Sequence, residues 1–376
     1  MHKTLRRLAS RCLWSLCRLL PVQKNKVVFC SAGGRGFGDN PKAIALELLK
    51  TPGLDLVWLC KDPSTPLPQG IRPCRFGSPQ AVKELSTAKV WVNDSRGGAH
   101  YKKKGQKYLQ TWHGFALKHI EASAKNLPEH YVSQCKKDSA MTDLMVSGSA
   151  FMSRVYREDF WYDGEIAPYG SPRNDVFFRD NTAVRETVCT FFGISPEKKI
   201  LLYAPTFRDD GRMDCYGLDA QGVRKTLGED WILLMRLHPN IAHLSGGLFP
   251  YDGKTVFDAS SYGDMAELLL ACDLLVTDYS SSMFDFALSG KPCVRFATDL
   301  RQYEKDRGFY FPLMDLPFPL AEDNGQLLHI LGTELHRNGQ EKWQKFSKEN
   351  GFFEDGNASK RCAAWILRQI KGDETP

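Results

Sequence analysis

Polar side chains that could hold a phosphate group follow three apolar runs in the second half of the sequence. The runs and the residues after them are Ile200–Ala204 with Thr206 and Arg208, Trp231–Leu237 with His238, and Leu274–Thr277 with Asp278. Apolar runs of this length predict buried strands, and the carboxyl ends of parallel strands meet at one edge of a sheet, where ligands bind. Charged and hydroxyl groups gathered there suit a diphosphate. The alternative is that each polar cluster only ends its own strand.

A serine-rich turn follows the third run. Ser280, Ser281 and Ser282 are suitable N-caps for a helix that we expect to continue to Leu288, before Gly290 ends it. The turn therefore predicts three hydroxyls, free backbone N–H groups and the positive end of a helix dipole at one point, which favours a phosphate. An ordinary capped helix is the competing interpretation.

His113 is the candidate general base in the first half of the chain. It stands between Trp112 and Gly114, directly after the predicted strand Lys107–Thr111, at the kind of strand end where a parallel sheet binds its ligands. An imidazole in such a place takes up a proton near neutral pH. A structural histidine held by a hydrogen bond is the alternative.

A glycine-rich loop follows the first predicted strand, Lys26–Ser31. It contains Gly34 and Gly36 and leads into a helix that opens with Asp39 and Asn40. Strand, glycine loop and helix form a nucleotide-binding geometry in general, but Asp39 stands where the third glycine of a dinucleotide fingerprint belongs. The loop is equally suited to bringing the backbone close to another substrate.

Strands and helices alternate along the whole chain. Further strands are expected at Leu54–Cys60, Lys89–Val92 and Cys293–Phe296. This alternation predicts the α/β class, with doubly wound parallel sheets. We expect an amphipathic helix in residues 1–23, one Rossmann-like domain in 24–190 and a second in 191–376. The C-terminal helices are expected to close the second domain and to lean back on the first.

The N-terminal segment combines a basic face and an apolar face. Residues 3–20 contain five basic residues and no acidic one, and four leucines between Leu5 and Leu19 fall on one face of a helix. Arg11 and Arg18 interrupt an apolar stretch that is already too short to span a membrane. We therefore expect a helix that lies on an anionic membrane surface, with packing against a neighbouring domain as the alternative.

The composition is that of an ordinary globular protein, with 42% hydrophobic residues, 25% charged residues and a net charge of +6. Eleven cysteines are scattered without a C-x-x-C pair, so neither a zinc ribbon nor a disulfide framework is predicted, and a reducing cytoplasm fits. No metal cluster or acidic D-x-D pair is evident. The basic run 101–107 indicates a solvated charge run or a contact for a polyanion. A nucleic-acid partner is not expected.

A series of motifs resembles the CDP-glycerol glycerophosphotransferase family, which includes the primases and polymerases of teichoic acid synthesis. The motifs are KNKVVF followed by DNPKAI, KGQKYLQTWHGFALK, YGSPRND, LLYAPTFRD, RLHP and TDYSSSMFDFALSGKP, in that order from Lys24 to about Tyr310. The resemblance implies a GT-B architecture, in which two Rossmann-like domains face a cleft. It also implies transfer of a polyol phosphate from a CDP-activated donor, with CMP as the leaving group.

The resemblance further implies roles for individual residues. His113 would be the catalytic base, and His238 would act on the donor diphosphate. The donor-binding residues implied are Thr206, Arg208, Arg236, Asp278, Ser280, Ser281 and Ser282, and the acceptor-binding residues implied are Gly34, Asp39, Asn40 and Lys118. No metal and no other cofactor is expected, so that catalysis would rest on positioning and on charge.

The expected donor is CDP-glycerol or a related CDP-polyol such as CDP-ribitol. The expected acceptor is polyprenyl-linked or a polysaccharide, at the inner face of a bacterial membrane. The family's TWHGTPLK reads TWHGFALK here, so Phe115 and Ala116 beside the base suggest an unusual acceptor. The lack of a long N-terminal extension favours a compact primase or a capsule-type transferase. Two other functions stay open, a GT-B glycosyltransferase or epimerase that uses a nucleotide sugar and a non-enzymatic module that binds an anionic polymer.

Overall fold

The computed structural model describes residues 12–97, 101–208, 213–238, 241, 248–333, 335 and 339–372 of the chain. The chain divides into two compact units. Unit 1 comprises Met1–His113, Asn126–Asp175 and Phe352–Pro376, and unit 2 comprises Gly114–Lys125 and Val176–Gly351.

Strands and helices alternate in both units, as expected for the α/β class. The strands are β1 (Gln23–Cys30), β2 (Asp55–Cys60), β3 (Ile71–Arg75), β4 (Ala88–Asn93), β5 (Lys107–Gln110), β6 (Leu144–Val146), β7 (Glu165–Ala167), β8 (Lys199–Ala204), β9 (Trp231–Met235), β10 (Val256–Asp258), β11 (Leu274–Thr277), β12 (Cys293–Phe296) and β13 (Leu320–Ala321). The α-helices are α1 (12–17), α2 (Asp39–Leu48), α3 (Pro79–Thr87), α4 (Glu129–Met141), α5 (Ala150–Asp159), α6 (Thr182–Phe192), α7 (Ala220–Leu227), α8 (Met265–Ala271), α9 (Ser282–Ala287), α10 (Leu300–Arg307), α11 (Asn324–Thr333), α12 (Gly339–Asn350) and α13 (Ala358–Lys371).

A seven-stranded parallel sheet forms the centre of unit 1, in the order β3-β2-β1-β4-β5-β6-β7. Its central strands are apolar almost throughout, because helices cover both faces of such a sheet. Val27, Phe29 and Trp58, for example, are fully buried. The order reverses between β1 and β4, so the carboxyl ends of these strands form the crevice where ligands bind in doubly wound sheets.

Unit 2 is built around a second parallel sheet, of six strands in the order β10-β9-β8-β11-β12-β13. The order reverses between β8 and β11. The polar clusters after the second-half strands therefore lie along the carboxyl edge of one sheet, as the sequence predicted.

The predicted division at residue 190 needs correction. The chain passes from unit 1 to unit 2 between Asp175 and Val176, and residues 352–376 return to unit 1. The return has a packing cause, since α13 buries Trp365 and Ile366 in the same hydrophobic core as β1 and α2. A contiguous split was therefore wrong for the C-terminal segment. Of the C-terminal helices, α11 and α12 belong to unit 2 and α13 belongs to unit 1.

Five strands were not foreseen from the sequence. The edge strand β3 contains Pro73, which removes a backbone donor and lowers the strand signal. β6, β7 and β10 have three residues each, and β13 has two. Strands this short carry too few residues to show a periodicity.

The N-terminal segment packs against unit 1 where it is described. Trp14 is 8% exposed and its ring stacks on that of Tyr101 with centroids 4.4 Å apart, while Cys17 is buried in the same core. Leu16 and Leu19 point outward and are 65% and 82% exposed. Residues 1–11 of the predicted amphipathic helix lie outside the described residues. No helix within the described ranges is long and apolar enough to cross a membrane.

The basic run 101–107 is mostly paired within unit 1. Lys102 and Lys107 both form ion pairs with Asp143, the latter at 3.5 Å. Lys103 donates to the backbone carbonyls of Arg18, at 3.2 Å, and Leu20. These contacts give most of the run an internal role, which weakens the case for a polyanion-binding module.

Candidate functional site

The imidazole of His113 follows β5, with one nitrogen held by the backbone. Its Nδ1 lies 2.6 Å from the carbonyl oxygen of Asp94, the residue after β4. A carbonyl only accepts hydrogen bonds, so Nδ1 carries the hydrogen and the lone pair resides on Nε2. The side chain is exposed, and the indole ring of Trp112 stacks on it with centroids 4.1 Å apart. This is the tautomer that a base acting through Nε2 requires.

The carboxylate of Asp94 fixes the turn that supplies this carbonyl. It is 1% exposed, accepts the Ser31 hydroxyl at 2.5 Å, and accepts the Ala32 N–H at 2.9 Å. Burial raises the pKa of Asp94, and the charge of Asp39 raises it further, while His113 lies close enough to lower it. A negative Asp94 therefore stabilises a positive charge on His113.

Arg173 fastens the loop around the base. Its guanidinium pairs with both carboxylate oxygens of Asp39, at 3.0 and 3.1 Å, and donates to the carbonyl of His113 at 2.8 Å. Its backbone N–H donates to the Asn40 side chain at 3.0 Å, and Asn40 in turn donates to the Trp112 carbonyl at 2.9 Å. Side chains thus hold the carbonyls of two successive residues at the base.

Backbone strain is concentrated at the same place. Ala32, Asp39 and Trp112 have positive φ values of +45°, +58° and +54°, a region that non-glycine residues avoid. Each such residue costs roughly 1–3 kcal/mol, and such strain persists where the surroundings over-determine the conformation. The network of Asp94, Arg173 and Asn40 provides that constraint.

The predicted acceptor-binding residues do not all lie together. Asp39 and Asn40 belong to the network around His113. Gly34 follows β1 with φ of +85°, and a Cβ on it would lie 2.9 Å from Phe76 Cβ, so glycine is needed there for packing. Lys118 lies in unit 2 and not in the first domain, where the sequence placed it.

Arg208 is the centre of a buried cluster in unit 2. Its guanidinium makes a bidentate pair with Asp299, at 2.7 and 3.0 Å, and an ion pair with Asp278 at 2.9 Å. The side chain is 2% exposed and lies over the rings of Tyr279 and Tyr303, 5.0 and 4.7 Å from their centroids. Burial by itself lowers the pKa of Arg208, but the hydrogen bond to Asp299 and the charge of Asp278 raise it overall. The guanidinium of Arg208 is thus occupied by ion pairs with carboxylates of the same unit.

Asp278 connects this cluster to the loop after β8. Its carboxylate accepts the Thr206 N–H at 2.8 and 3.0 Å and the Tyr279 N–H at 2.5 Å. The Thr206 hydroxyl is buried and has no hydrogen-bond partner among the described residues. Asp278 therefore orders the loop and leaves one hydroxyl donor available.

Among the serines at the start of α9, Ser280 supplies the bond to the helix backbone, since its hydroxyl accepts the Ser282 N–H at 3.3 Å. The hydroxyls of Ser280 and Ser282 lie 2.9 Å apart and bond to each other, and the N-cap residue Ser281 makes no side-chain bond to the helix. α9 has six residues and ends at Ala287, one residue before the predicted end. Ser281 is partly exposed, and its hydroxyl is the one that this turn leaves to a ligand.

The R-x-H-P residues after β9 differ in their surroundings. Arg236 donates to the carbonyls of Ala259 and Tyr262, at 3.2 and 2.7 Å, and burial lowers its pKa. His238 is partly buried, and its ring stacks on Phe207 with centroids 5.5 Å apart. Arg236 thus supports the backbone, whereas His238 lies beside the loop that carries Thr206.

The two residues that replace the usual threonine and proline are packed inside unit 2. Phe115 and Ala116 are 8% and 5% exposed. The Phe115 ring lies 4.5 Å from that of Phe284, 5.7 Å from Phe311 and 6.0 Å from Phe346. The place of Phe115 in this aromatic cluster accounts for the phenylalanine without reference to an acceptor.

Two residues of the His113 network were missed from the sequence. Asp94 follows β4 as directly as Asp278 follows β11, so the strand-end rule alone could have found it. Arg173 lies in the YGSPRND motif, but its contacts join segments more than one hundred residues apart. Within the described ranges, no group of three or more His, Cys, Asp or Glu side chains is arranged to hold a metal ion.

Comparison with known proteins adds independent evidence. Residues 13–368 match the family described as CDP-Glycerol:Poly(glycerophosphate) glycerophosphotransferase. A teichoic acid poly(glycerol phosphate) polymerase of Staphylococcus epidermidis is 31% identical, over 93% of this chain and 51% of its own length. A teichoic acid glycerol-phosphate transferase of Staphylococcus aureus is 30% identical, over 98% of this chain and all of its own. The chain thus spans about half of the first relative and the whole of the second.

The solved structures agree with the sequence relatives. A variant of the wall teichoic acid polymerase TagF matches with a TM-score of 0.87 and 30% identity, over 98% of both chains. Another TagF variant, soaked with CDPG, matches with a TM-score of 0.86. This likeness and the two parallel sheets confirm the predicted GT-B class.

Proposed function

Because the chain belongs to the CDP-glycerol:poly(glycerophosphate) glycerophosphotransferase family, as its motifs predicted, we propose that it transfers glycerol phosphate from CDP-glycerol to an acceptor hydroxyl. The acceptor is membrane-linked or polymeric, as in teichoic acid or capsule synthesis. The observation that carries the proposal is the 2.6 Å contact between His113 Nδ1 and the Asp94 carbonyl, which leaves Nε2 as a base.

The reaction is a phosphoryl transfer. The acceptor oxygen attacks the phosphorus that carries glycerol and gives its proton to Nε2 of His113. The bond between that phosphorus and the oxygen bridging to the CMP phosphate breaks, and CMP leaves with the electron pair. A well-placed base contributes roughly 100- to 10,000-fold to the rate, and the rest of the catalysis comes from positioning and charge.

Within unit 1, we assign Asp94, Asn40 and Arg173 the role of positioning the base. Asp94 provides the carbonyl that fixes the tautomer of His113, and its carboxylate stabilises the imidazolium formed when the proton is transferred. Arg173 and Asn40 hold the carbonyls on either side of the His113 peptide. Asp39 contributes to this positioning through its ion pair with Arg173.

Unit 2 supplies the donor site in this proposal. Thr206, His238 and Ser281 are the groups we assign to the donor diphosphate, because they follow the carboxyl ends of β8, β9 and β11 in the same parallel sheet. Arg208 and Asp278 instead hold the loops that carry them. Arg236, Ser280 and Ser282 serve the same positioning role through the bonds they make within the protein.

Release of CMP tests the donor. Purified protein should release CMP from CDP-glycerol in the presence of a glycerol-phosphate-primed acceptor, and more slowly or not at all from CDP-ribitol. UDP-sugars are the third arm, because a glycosyltransferase or epimerase of the same fold would act on them. Turnover of UDP-sugars without CMP release from either CDP-polyol would overturn the proposal. Preference for CDP-ribitol would change the polyol and keep the reaction.

Attachment to the cytoplasmic face of the membrane is the second part of the proposal. Leu16 and Leu19 are exposed beside Arg18, while Trp14 and Cys17 anchor the segment to unit 1. Exposed leucines next to a cation favour an anionic lipid surface. Removal of residues 1–20 would also remove core side chains, so point substitutions are the better test.

The Leu16→Ser/Leu19→Ser variant should sediment less with phosphatidylglycerol vesicles than the parent, at equal CMP release from a soluble acceptor. Leu46→Ser is the matched control, since Leu46 is an exposed leucine of α2 in the same unit. Equal sedimentation of the double variant and the parent would remove these leucines from any membrane contact.

A further inference from the structure

Lys118 is a cation of unit 2 that the assigned functions leave unexplained. The residue forms an antiparallel bridge with Phe309, and its ammonium nitrogen lies 3.2 Å from the hydroxyl of Tyr303. The same nitrogen is 5.6 Å from the centroid of the Tyr303 ring. That ring also covers Arg208, whose carbon Cζ is 4.7 Å from its centroid. Lys118 thus lies one aromatic ring away from the cluster that orders the Thr206 loop.

The ammonium group has unused hydrogen-bonding capacity. It offers three N–H donors, and within the described ranges its hydrogen bond goes to the phenol of Tyr303 and no ion pair is formed. The nearby carboxylates of Asp278 and Asp299 are both engaged by Arg208. A partly buried cation without a carboxylate partner is costly unless an anion joins it. The side chain is partly exposed, so a ligand has access to it.

The surroundings of Lys118 point to phosphate. The neighbouring loop offers the unpartnered hydroxyl of Thr206, a donor as well. The Thr206 hydroxyl and the two N–H donors of Lys118 that do not bond to Tyr303 suit oxygens that only accept, as phosphate oxygens do. We propose that Lys118, in its protonated form, binds a phosphate oxygen of the CDP-linked donor in unit 2. This inference rests on the proposed function, and it moves Lys118 from the acceptor to the donor.

The binding has a consequence for pH. Burial lowers the pKa of Lys118 to about 8, with Asp278 raising it and Arg307 and Arg208 lowering it further. The diphosphate diester of CDP-glycerol has no proton to lose near this pH. Because only the protonated amine binds the anion well, donor affinity should fall as pH rises through about 8. Donor binding should also raise the pKa of Lys118, so the protein takes up protons when the complex forms.

Other titratable groups around Lys118 behave differently over this range. The pKa values of Tyr279 and Tyr303 are raised, chiefly by burial, so both phenols stay neutral. Among the described residues, the other charged or titratable groups around the segment include Asp278 after β11, Asp299 after β12, Arg208 after β8, Arg307 of α10, Tyr310 and the neighbouring His119. A variant at Lys118 leaves all of them in place and so isolates its contribution.

Calorimetric titration with CDP-glycerol tests the inference. Titrations at pH 7 and pH 9.5, each in two buffers of different ionisation enthalpy, give both the affinity and the protons taken up. Lys118→Met should bind CDP-glycerol roughly 10- to 150-fold more weakly at pH 7, the loss expected for one hydrogen bond to a charged group. Lys118→Arg should keep most of the affinity and lose the proton uptake. Lys125→Met, on the same segment and exposed, is the matched control.

The outcomes separate this inference from the proposed function. A parent that does not bind CDP-glycerol at either pH contradicts the function itself. A parent that binds CDP-glycerol while Lys118→Met binds within about twofold of it overturns the inference alone. If Lys118→Met fails to fold, the parent and Lys118→Arg decide the matter. Equal proton uptake by those two proteins would assign the proton to another group, such as His119, and would also overturn the inference.

Discussion

At the scale of single residues, the chemistry of unit 1 depends on which nitrogen of His113 is protonated. The Asp94 carbonyl fixes the hydrogen on Nδ1, and the neighbouring carbonyls are held by Asn40 and Arg173. A base that is pre-oriented in this way does not spend rotational freedom when the acceptor arrives. The strained backbone at Ala32 and Trp112 is consistent with the same requirement.

Replacement of the two histidines should separate catalysis from donor binding. His113→Ala should lower kcat by roughly 100- to 10,000-fold, the usual contribution of a general base, and should leave the affinity for CDP-glycerol near that of the parent. His238→Ala should weaken CDP-glycerol binding as well. CMP-release assays and calorimetric titration measure the two effects, with the exposed His130→Ala of α4 as a control. Near-parental turnover by His113→Ala would show that His113 is a structural histidine.

The sequence predicted the positions of the candidate residues at strand ends better than it predicted their partners. His113 and Asp278 were found because each follows an apolar run at a strand end. Arg208 was assigned to the donor because it follows a predicted strand and because the family resemblance implied it, but its two carboxylate partners come from strand ends far along the chain. A single sequence does not show which distant carboxylate will form an ion pair with a buried arginine. Lys118 was misplaced for a related reason, since it is only five residues from His113 yet belongs to the other unit.

At the scale of the secondary structure elements, the packing of one buried aromatic side chain places the segment 114–125 in unit 2. Phe115 enters an aromatic cluster formed by Phe284 of α9, Phe311 and Phe346 of α12. This packing and the bridge between Lys118 and Phe309 fasten the segment to unit 2. We therefore expect the phenylalanine that stands here in place of the family's threonine to stabilise unit 2.

Restoring threonine at this position should destabilise unit 2. Phe115→Thr removes a buried ring and places a hydroxyl among aromatic side chains, at an expected cost of about 3 kcal/mol in the free energy of unfolding. The acceptor KM should stay close to that of the parent. Urea titration followed by fluorescence measures the first quantity and CMP release the second. Phe178→Thr is the control, because Phe178 is 46% exposed in the same unit. A changed acceptor KM at unchanged stability would instead favour a direct role in acceptor choice.

An ion-pair network joins β1, β2, β3 and α3 in unit 1. The Glu84 carboxylate accepts Lys26 Nζ at 2.7 Å and two Arg72 nitrogens at 2.7 and 3.0 Å, and Arg72 also pairs with Asp55. Burial alone would raise the pKa of Glu84, but the bonds from Arg72 and Lys26 lower it to about 2. The network therefore gives these elements a pH-dependent stability.

The sign of that dependence follows from the lowered pKa. A carboxylate with a lower pKa in the folded state contributes stability above its unfolded pKa of about 4.5, and this contribution is lost as pH falls towards about 2. Glu84→Gln should be less stable than the parent at pH 7 by about 3 kcal/mol or more, because it leaves Lys26 without its closest partner. The difference should shrink between pH 4.5 and pH 2. Thermal unfolding of both proteins across this range checks it, and a constant difference would contradict it.

The elements themselves were largely predictable. β11 and β12 were predicted residue for residue, and β1, β2, β4, β5, β8 and β9 differ from their predictions by a few residues at the ends. Long apolar runs specify a buried parallel strand without help from the rest of the chain. The short strands β6, β7, β10 and β13 depend on their neighbours in the sheet, and no local pattern reveals them.

At the scale of the whole molecule, the chain changes unit at points that sequence composition does not mark. His113 ends one stretch of unit 1, and Gly114 begins a segment of unit 2. One peptide bond therefore connects the proposed base to the segment that contains Lys118, which we propose binds the CDP-linked donor. The C-terminal residues 352–376 then return to unit 1. Helix propensity identified helical character in this region, but the core that α13 completes is formed by residues at the other end of the chain.

Asp175 is the residue that fastens this return. It is 1% exposed, and its carboxylate accepts the backbone N–H groups of Ala358 and Ser359, at 2.9 and 2.8 Å, together with the Ser359 hydroxyl. The residue at the N-cap of α13, Asn357, makes no capping bond of its own. A carboxylate from a distant part of the sequence therefore satisfies the first turn of α13 and complements its dipole.

Loss of this carboxylate should loosen α13 specifically. Asp175→Ala leaves two buried N–H groups without an acceptor, at an expected cost of roughly 1–3 kcal/mol for each unsatisfied group. Hydrogen exchange measured by mass spectrometry should show faster exchange in α13 and in α2, on which it packs, with little change in the strands of unit 2. Asp163→Ala, at an exposed position of unit 1, serves as the control. If α13 exchanged at the parental rate in Asp175→Ala, the helix would be held by its apolar face alone, through Trp365 and Ile366, and the cap would be dispensable for the return of the chain to unit 1.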